Sequence, residues 1–365
     1  MKNTGLYIHV PFCIKKCPYC DFYSVTSLDH DIFEKYSDAV VRNIEKYLYD
    51  NPQIFFDTVY FGGGTPSLLP VDNYRKIFSV ILKACDPDKA EITAEINPKT
   101  ADAAKLAQLR CLGMNRLSFG IQSACDSELK DLGRIHTFDE AAHAVEYACT
   151  AGFENISADI MIGLKGQTMQ SLEHTIDAVT ALDVKHISAY MLKIENGTAY
   201  DCEEMRNEVA DEDTSADMYL LTCRDLEKKN IMQYEISNFA YKGYESRHNL
   251  KYWRCEDYIG IGPAAHSYFN GLRYNTPESL ESFIDEEYQN RIISEEDPGG
   301  YVENVMLRLR LTEGYRVDLF PQMAQTLIDR SKRYIKAGLM KYENRTLRLT
   351  CEGFLVSNSI ISDLI

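Results

Sequence analysis

The sequence predicts an α/β protein: a TIM-like parallel barrel or partial barrel built from six βα units, followed by a small winged-helix-like α+β domain. Three observations carry this. Strand and helix patterns alternate six times over roughly the first 190 residues, the signature of a parallel sheet covered by helices. The residues with chemical character, Cys13, Gly62 to Thr65, Glu95, Gln122 and Asp159, fall at or just past the C-terminal ends of successive strands. A barrel gathers such positions around one mouth, whereas an open sheet would string them along a crevice. Finally, 365 residues at 45% hydrophobic can bury one large core and a smaller one.

The elements follow in order. Leu6–Val10 reads as a first strand and Asp31–Tyr49 as an amphipathic helix. Thr58–Phe61, Glu91–Ile96 and Asn115–Phe119 are the next strands, separated by helices over Val71–Ala84 and Ala101–Leu112. Phe138, Ala141, Ala142, Val145, Ala148 and Cys149 recur at helical spacing. Ile156–Ile160 is a fifth strand, Met169 to Leu182 a helix, and His186–Leu192 a sixth strand. After Asn196 the pattern changes: a charged helix over Glu212–Lys229, a strand near Tyr234–Ala240, and a stretch from Arg247 to Tyr268 rich in aromatics, His and Gly. The run 295–300 reads as a linker. Helices over Tyr301–Leu311 and Pro321–Gly338, a hairpin within Lys341–Thr350 turning around Glu343-Asn344 and a closing helix make up the winged-helix-like module. These give three expected units: 1–240, the barrel; 241–294, a connecting segment; and 295–365, the C-terminal domain.

Composition excludes several classes. The net charge of −16 argues against general nucleic-acid binding, although Tyr315–Ile365 holds eight Lys or Arg against five Asp or Glu. No apolar run approaches the length of a bilayer span, and Met1 leads into the first strand without a signal-peptide pattern. Eight of the eleven cysteines are scattered through mostly apolar patterns, the usage of a reducing compartment. A cytoplasmic protein is expected.

The other three cysteines are grouped. Cys13, Cys17 and Cys20 are spaced C-x3-C-x2-C on a loop directly after the first strand. Three thiolates at that spacing can ligate three irons of a [4Fe-4S] cluster, leaving the fourth iron without a protein ligand. S-adenosylmethionine (SAM) can fill that place through its amino and carboxylate groups. The alternatives are a zinc site or a disulfide framework, but structural zinc takes four ligands, and only His30 follows within thirty residues. Phe61-Gly-Gly-Gly-Thr-Pro66, one strand away, lets backbone approach a ligand closely and adds the Thr65 hydroxyl. Glu95, Gln122, Arg134 and Asp159 are polar groups within or after apolar strands or turns, so each is satisfied either by protein or by ligand. His248-Asn249-Leu-Lys-Tyr252-Trp253 carries the only tryptophan. It reads either as a haem ligand beside stacking surface or as a loop whose aromatics cover the mouth.

Taken together these residues resemble the radical SAM superfamily, and within it the oxygen-independent coproporphyrinogen III oxidase family. Tyr7-Ile-His-Val-Pro-Phe-Cys13, Phe61 to Pro66, Ser118-Phe-Gly-Ile-Gln-Ser123, Gly133-Arg-Ile-His136, Asp159-Ile-Met-Ile-Gly-Leu164 and Arg308-Leu-Arg-Leu-Thr-Glu-Gly314 carry the likeness over nearly the whole chain. The resemblance implies a partial (β/α)6 barrel, a cluster on Cys13, Cys17 and Cys20, and SAM held by Tyr7, Tyr19, Gly63, Gly64, Thr65, Glu95, Gln122, Arg134 and Asp159. Oxidases of the family carry a further cysteine where this chain has Phe22, and an extension of tens of residues where this chain has twelve before Cys13. Both differences, with the His248–Trp253 motif, point to the haem-chaperone branch. That branch implies haem contact at His248, Asn249, Tyr252 and Trp253, a haem-acceptor protein as partner, and no coproporphyrinogen oxidase activity. A homodimer and at most peripheral membrane association are compatible with it; no nucleic-acid partner is expected. Lys165 stands where relatives usually have Pro, in a turn after the fifth strand.

Overall fold

The computed structural model describes residues 1–26, 29–285, 292–293 and 297–365. Glu295 and Glu296 of the expected linker lie outside the described residues, as do 286–291 and Ser294 of the expected connecting segment.

Six strands run in sequence order through the middle of one sheet: β1 (Lys2–Val10), β2 (Ile54–Gly63), β3 (Glu91–Ile96), β4 (Arg116–Gln122), β5 (Asn155–Ile162) and β6 (His186–Met191). Each pair is parallel. The crossovers carry α1 (His30–Asp50), α2 (Val71–Ile81), α3 (Ala103–Cys111), α4 (Asp126–Asp131) with α5 (Phe138–Thr150), and α6 (Met169–Thr180). After β6 come α7 (Glu203–Glu208), α8 (Glu212–Lys228), β7 (Met232–Gln233) and β8 (Asn238–Ala240), the last pairing antiparallel with β6. The stretch after Arg247, expected only as a connecting segment, supplies α9 (Arg247–Trp253), β9 (Tyr258–Ile261), β10 (His266–Phe269) and β11 (Leu272–Asn275). β9 lies parallel beside β1, so a seventh parallel strand comes from far along the chain. After α10 (Leu280–Asp285), β12 (Ile292–Ile293) closes that side, and the twelve strands run β12-β11-β10-β9-β1-β2-β3-β4-β5-β6-β8-β7.

Strand alternation explains the curl. Leu6, Ile8 and Val10 on β1, Val59 and Phe61 on β2, Leu117 and Phe119 on β4, and Ile156, Ala158 and Ile160 on β5 are fully buried in the helix-covered core. The opposite face carries Tyr7 and His9, Thr58 and Tyr60, Thr93 and Glu95, Arg116 and Ser118, Ser157 and Asp159, and His186 and Ser188. TIM barrels fill that interior with branched apolar side chains. Here it is lined by hydroxyls and charges, and it remains open as a cavity.

The C-terminal part holds α11 (Tyr301–Arg308), β13 (Tyr315–Arg316), α12 (Ala324–Lys336), β14 (Met340–Glu343), β15 (Thr346–Leu349), α13 (Cys351–Leu355) and α14 (Ser357–Leu364). Its strands form an antiparallel sheet, β13-β15-β14. The expected hairpin turns at Asn344-Arg345, both at positive φ (49° and 60°), as a two-residue turn with primed geometry requires. This part is fastened to the barrel by Thr312 N–H to Tyr234 O (3.0 Å), Ile236 N–H to Arg310 O (3.0 Å) and a two-pronged pair of Arg254 with Glu313 (2.8 and 2.7 Å).

Candidate functional site at the barrel mouth

The cysteine loop is pinned by backbone before any side chain is considered. Cys13 N–H donates to Val25 O (2.9 Å) and Val25 N–H to Pro11 O (2.7 Å), closing the loop at its base. Within it, Cys20 N–H donates to Cys17 O (3.1 Å). The glycine turn at the end of β2 is then stitched onto it: Gly64 N–H donates to Val10 O (2.9 Å) and Thr65 N–H to Phe12 O (2.7 Å). This approach needs glycine. A Cβ at Gly64 would stand 2.8 Å from Phe12 O. Gly63 has φ +109°, and a Cβ there would strike the His9 ring at 2.6 Å.

Side chains complete the mouth. Thr65 Oγ1 lies 3.6 Å from Cys13 Sγ. Arg134 donates from Nη1 to Cys17 Sγ (3.7 Å) and from Nη2 to Gly120 O (2.8 Å), which places a cation beside that thiol. All three cysteines, Tyr19, Gly63, Gly64, Thr65, Glu95, Gln122, Arg134 and Asp159 line one cavity of about 390 Å³, a size usual for small-molecule sites. Among the described residues no three His, Cys, Asp or Glu side chains close on one point as a single ion would require. A polynuclear cluster makes no such demand, since each thiolate takes a different iron. Three soft donors on one wall, with a backbone cradle and a guanidinium beside them, fit a [4Fe-4S] group.

Below the mouth sit two carboxyls. Glu95 accepts from Tyr60 Oη–H (2.9 Å) and from Gly63 N–H (3.1 Å). Burial, and then the charge of Asp159, push its pKa up to about 7. Burial also raises Asp159, which accepts from Ser118 Oγ–H (3.1 Å). A cationic ligand placed here would meet two carboxyls that already face the Arg116 guanidinium. Gln122 stands at φ +76°, where the register of β4 against β5 slips between Gly120 and Gln122. Strain of this kind concentrates at ligand sites.

Two expected groups stand apart from this cavity. Tyr7 does not line the cavity: its ring backs Gly62, and its hydroxyl lies 3.1 Å from His9 Nδ1. The His248–Trp253 motif does not lie at the mouth either. It forms α9, which closes the opposite end of the barrel, under the starts of β1, β2 and β3. The N–H groups of Arg247 and His248 donate to Glu91 (3.1 and 3.0 Å), and Arg247 Nη1 donates to Lys89 O (2.9 Å). His248 is fully buried, with Nδ1 2.8 Å from Thr58 Oγ1 and Nε2 2.7 Å from Tyr252 Oη. Burial, with Lys251 and Arg116 adding to it, lowers its pKa to about 3. Both ring nitrogens are therefore engaged, and neither is presented to an iron. Asn249 alone of the motif reaches the cavity, from its floor. Trp253 lies on the far side, with the Arg310 guanidinium 5.9 Å from its ring.

Sequence reasoning missed Arg116, Ser118, Ser188 and Tyr190, which also line the cavity. Their signal was present as polar residues alternating with apolar ones along β4 and β6. At the atypical position, Lys165 pairs with Glu208 of α7 (2.5 Å), while Gln167 Oε1 accepts from Gly163 N–H (2.7 Å). The turn is thus held without a proline.

Sheet, thiol loop and glycine cradle together define a radical SAM protein. The Radical SAM superfamily model matches residues 7–179. The chain is 35% identical to heme chaperone HemW of Bacillus subtilis over 97% of each chain, and 34% identical to heme chaperone HemW of Synechocystis over 99% of this chain and 96% of that one. It is also 36% identical to the mitochondrial radical S-adenosyl methionine domain-containing protein 1 of Danio rerio, over 73% of this chain and 61% of that one. Among solved structures, coproporphyrinogen III oxidase (HemN) from Escherichia coli superposes with a TM-score of 0.84 over 100% of this chain and 90% of that one, at 19% identity, a likeness of fold. The chain belongs to the HemW family of the radical SAM superfamily. Membership of that superfamily implies a [4Fe-4S] cluster and SAM.

Proposed function

We propose that this protein is a cytoplasmic haem chaperone on a radical SAM scaffold, which binds haem and passes it to an acceptor protein. Cys13, Cys17 and Cys20 hold the cluster, and Gly63, Gly64, Thr65, Tyr19, Glu95, Gln122, Arg134 and Asp159 hold SAM. When bound, cluster and SAM supply the electron-transfer chemistry of the superfamily. The chain's own contribution is geometric and electrostatic. The glycine cradle admits backbone contact, Arg134 sets a positive charge beside Cys17, and Glu95 with Asp159 offers negative charge to a sulfonium.

The observation that carries the chaperone reading is Phe22. It occupies the place of the oxidases' further cysteine, lines the cavity and is 61% exposed. With Tyr190, also exposed and lining the cavity, it gives apolar surface to a site that must receive a flat macrocycle. Because His248 is enclosed, haem is taken here at the mouth rather than on that imidazole. A second reading, coproporphyrinogen III oxidation, is favoured by the superposition on the Escherichia coli enzyme.

One experiment separates them. Anaerobically reconstituted protein is titrated with haem, and in parallel incubated with SAM and coproporphyrinogen III. Haem binding without protoporphyrinogen IX is expected; sustained turnover would assign the oxidase reaction instead. Reconstitution should give about four irons per chain, and a Cys17→Ala variant that still holds a full SAM-responsive cluster would refute the site.

A further inference from the structure

Tyr200 lies in the segment that crosses from β6 to α7 and is 6% exposed. Three contacts tie it to other elements. Its N–H donates to Pro18 O (3.0 Å), inside the cysteine loop. Its Oη–H donates to the carbonyl of Asp131 (2.7 Å), the last residue of α4. Its ring centroid stands 6.2 Å from that of Tyr19. Tyr19 in turn lines the cavity, with its hydroxyl within hydrogen-bond reach of Cys17 and of the Arg134 guanidinium. On its other side Pro18 meets Gly133, where a Cβ would stand 3.0 Å from Pro18 Cδ. The tip of the loop is thus gripped between the end of α4 and Tyr200.

Under that tip lies a core of its own. Leu132, Met161 and Leu164 are buried together, with Tyr19 and Leu192 packed on them, apart from the main helix-covered core. A satellite cluster of this size can open without the rest of the fold. The segment that carries Tyr200 is moored at its far end by Glu208 to Lys165 (2.5 Å) and by Ala210 N–H to Gly163 O (3.3 Å). The base of the cysteine loop is already fixed by Val25 and by the glycine cradle. What Tyr200 adds acts between Cys17 and Cys20. We propose that Tyr200 is a positioning residue for the cluster site: it clasps the loop tip to α4, so that Cys17, Tyr19 and Cys20 are held at fixed places around the mouth. The inference rests on the cluster reading of the proposed function.

The test uses full-length protein, before and after anaerobic reconstitution. Hydrogen exchange read by mass spectrometry compares loop residues 14–22 with strand residues 6–10. Loss of the ring in Tyr200→Ala should speed exchange in the loop by about tenfold or more. Tyr200→Phe, which loses only the bond to Asp131, should speed it by about threefold. Exchange in β1 should stay unchanged in both. In reconstituted protein, Tyr200→Ala should lose iron to a ferrous chelator correspondingly faster. The change that SAM produces in the paramagnetic-resonance spectrum of the reduced cluster should shrink in Tyr200→Ala and return in Tyr200→Phe. Loop exchange as slow in Tyr200→Ala as in the unmodified protein would overturn the inference. So would acceleration shared equally by β1, which would make the residue one of general stability. Should the Ala variant fail to fold, unchanged loop exchange in Tyr200→Phe would overturn it. If the unmodified protein takes up no cluster, the cluster reading falls, and exchange in the unreconstituted protein alone decides whether Tyr200 holds the loop.

Discussion

At Gln122 a long side chain is held in a backbone conformation that suits glycine, φ +76°. Relief should therefore follow an unusual order: Gln122→Gly more stable than Gln122→Ala by about 1 kcal/mol, the reverse of an ordinary strand position, with SAM affinity lost in both. Thermal melts with and without SAM check this, and an Ala variant at least as stable as the Gly one would deny the strain. Glu95 makes a pH prediction. Its pKa, raised to about 7 in the fold, means that the folded state prefers the neutral carboxyl. That stabilisation is present in full below the usual carboxylate range and is lost as pH rises toward 7 and beyond. Ligand-free Glu95→Gln should thus gain on the unmodified protein between pH 5 and pH 8, by roughly 1–3 kcal/mol. Parallel melts that keep a constant separation over that range would show that Glu95 is already ionised. Neither prediction could be drawn from the sequence. It presents Gln122 and Glu95 as polar residues near strand ends, but the register slip and the Asp159 neighbour exist only after folding.

The element that makes the site is the joint between the β2 turn and the cysteine loop. Two backbone hydrogen bonds, from Gly64 and Thr65, cross it, and the space allows no side chain at 64. Gly64→Ala should leave the barrel folded but push the loop outward, so that reconstituted iron falls well below about four per chain. Iron and sulfide analysis beside far-ultraviolet circular dichroism reads this directly, and a full complement of iron would show that the loop gives way freely. This joint was legible in advance, because three closely spaced cysteines and three consecutive glycines leave few other uses. Helix α9 was not. Its seven residues are too few to show periodicity, and although Ser246 caps it locally, the carboxylate that takes its first two N–H groups, Glu91, lies more than 150 residues earlier in the chain. Aromatics around a histidine suggested an exposed ligand, whereas the fold uses them to close the end of the barrel away from the cysteines. In the same way, β9 to β11 could not be read as sheet strands. Their partners are set by closure around β1 and not by any local pattern.

For the whole molecule, the six-unit alternation was enough to foresee the parallel sheet, because burial under helices on one face leaves a strict apolar period in each strand. The polar interior was hidden in the alternate positions. The attachment of the C-terminal part was hidden too, since it runs through backbone at 234–236 and 310–312 and through Arg254 with Glu313. Trp253, the only tryptophan, stands at that attachment and should report it. Glu313→Ala is expected to destabilise the state reported by Trp253 emission by roughly 0.5–1 kcal/mol, and an unmoved transition midpoint would deny the pair a part in docking. A last consequence concerns solubility. At one margin of the sheet the outermost strand, β7, is two residues long. So short a margin offers a neighbouring molecule almost no ladder to extend, which guards that side of a wide ribbon against stacking into aggregates.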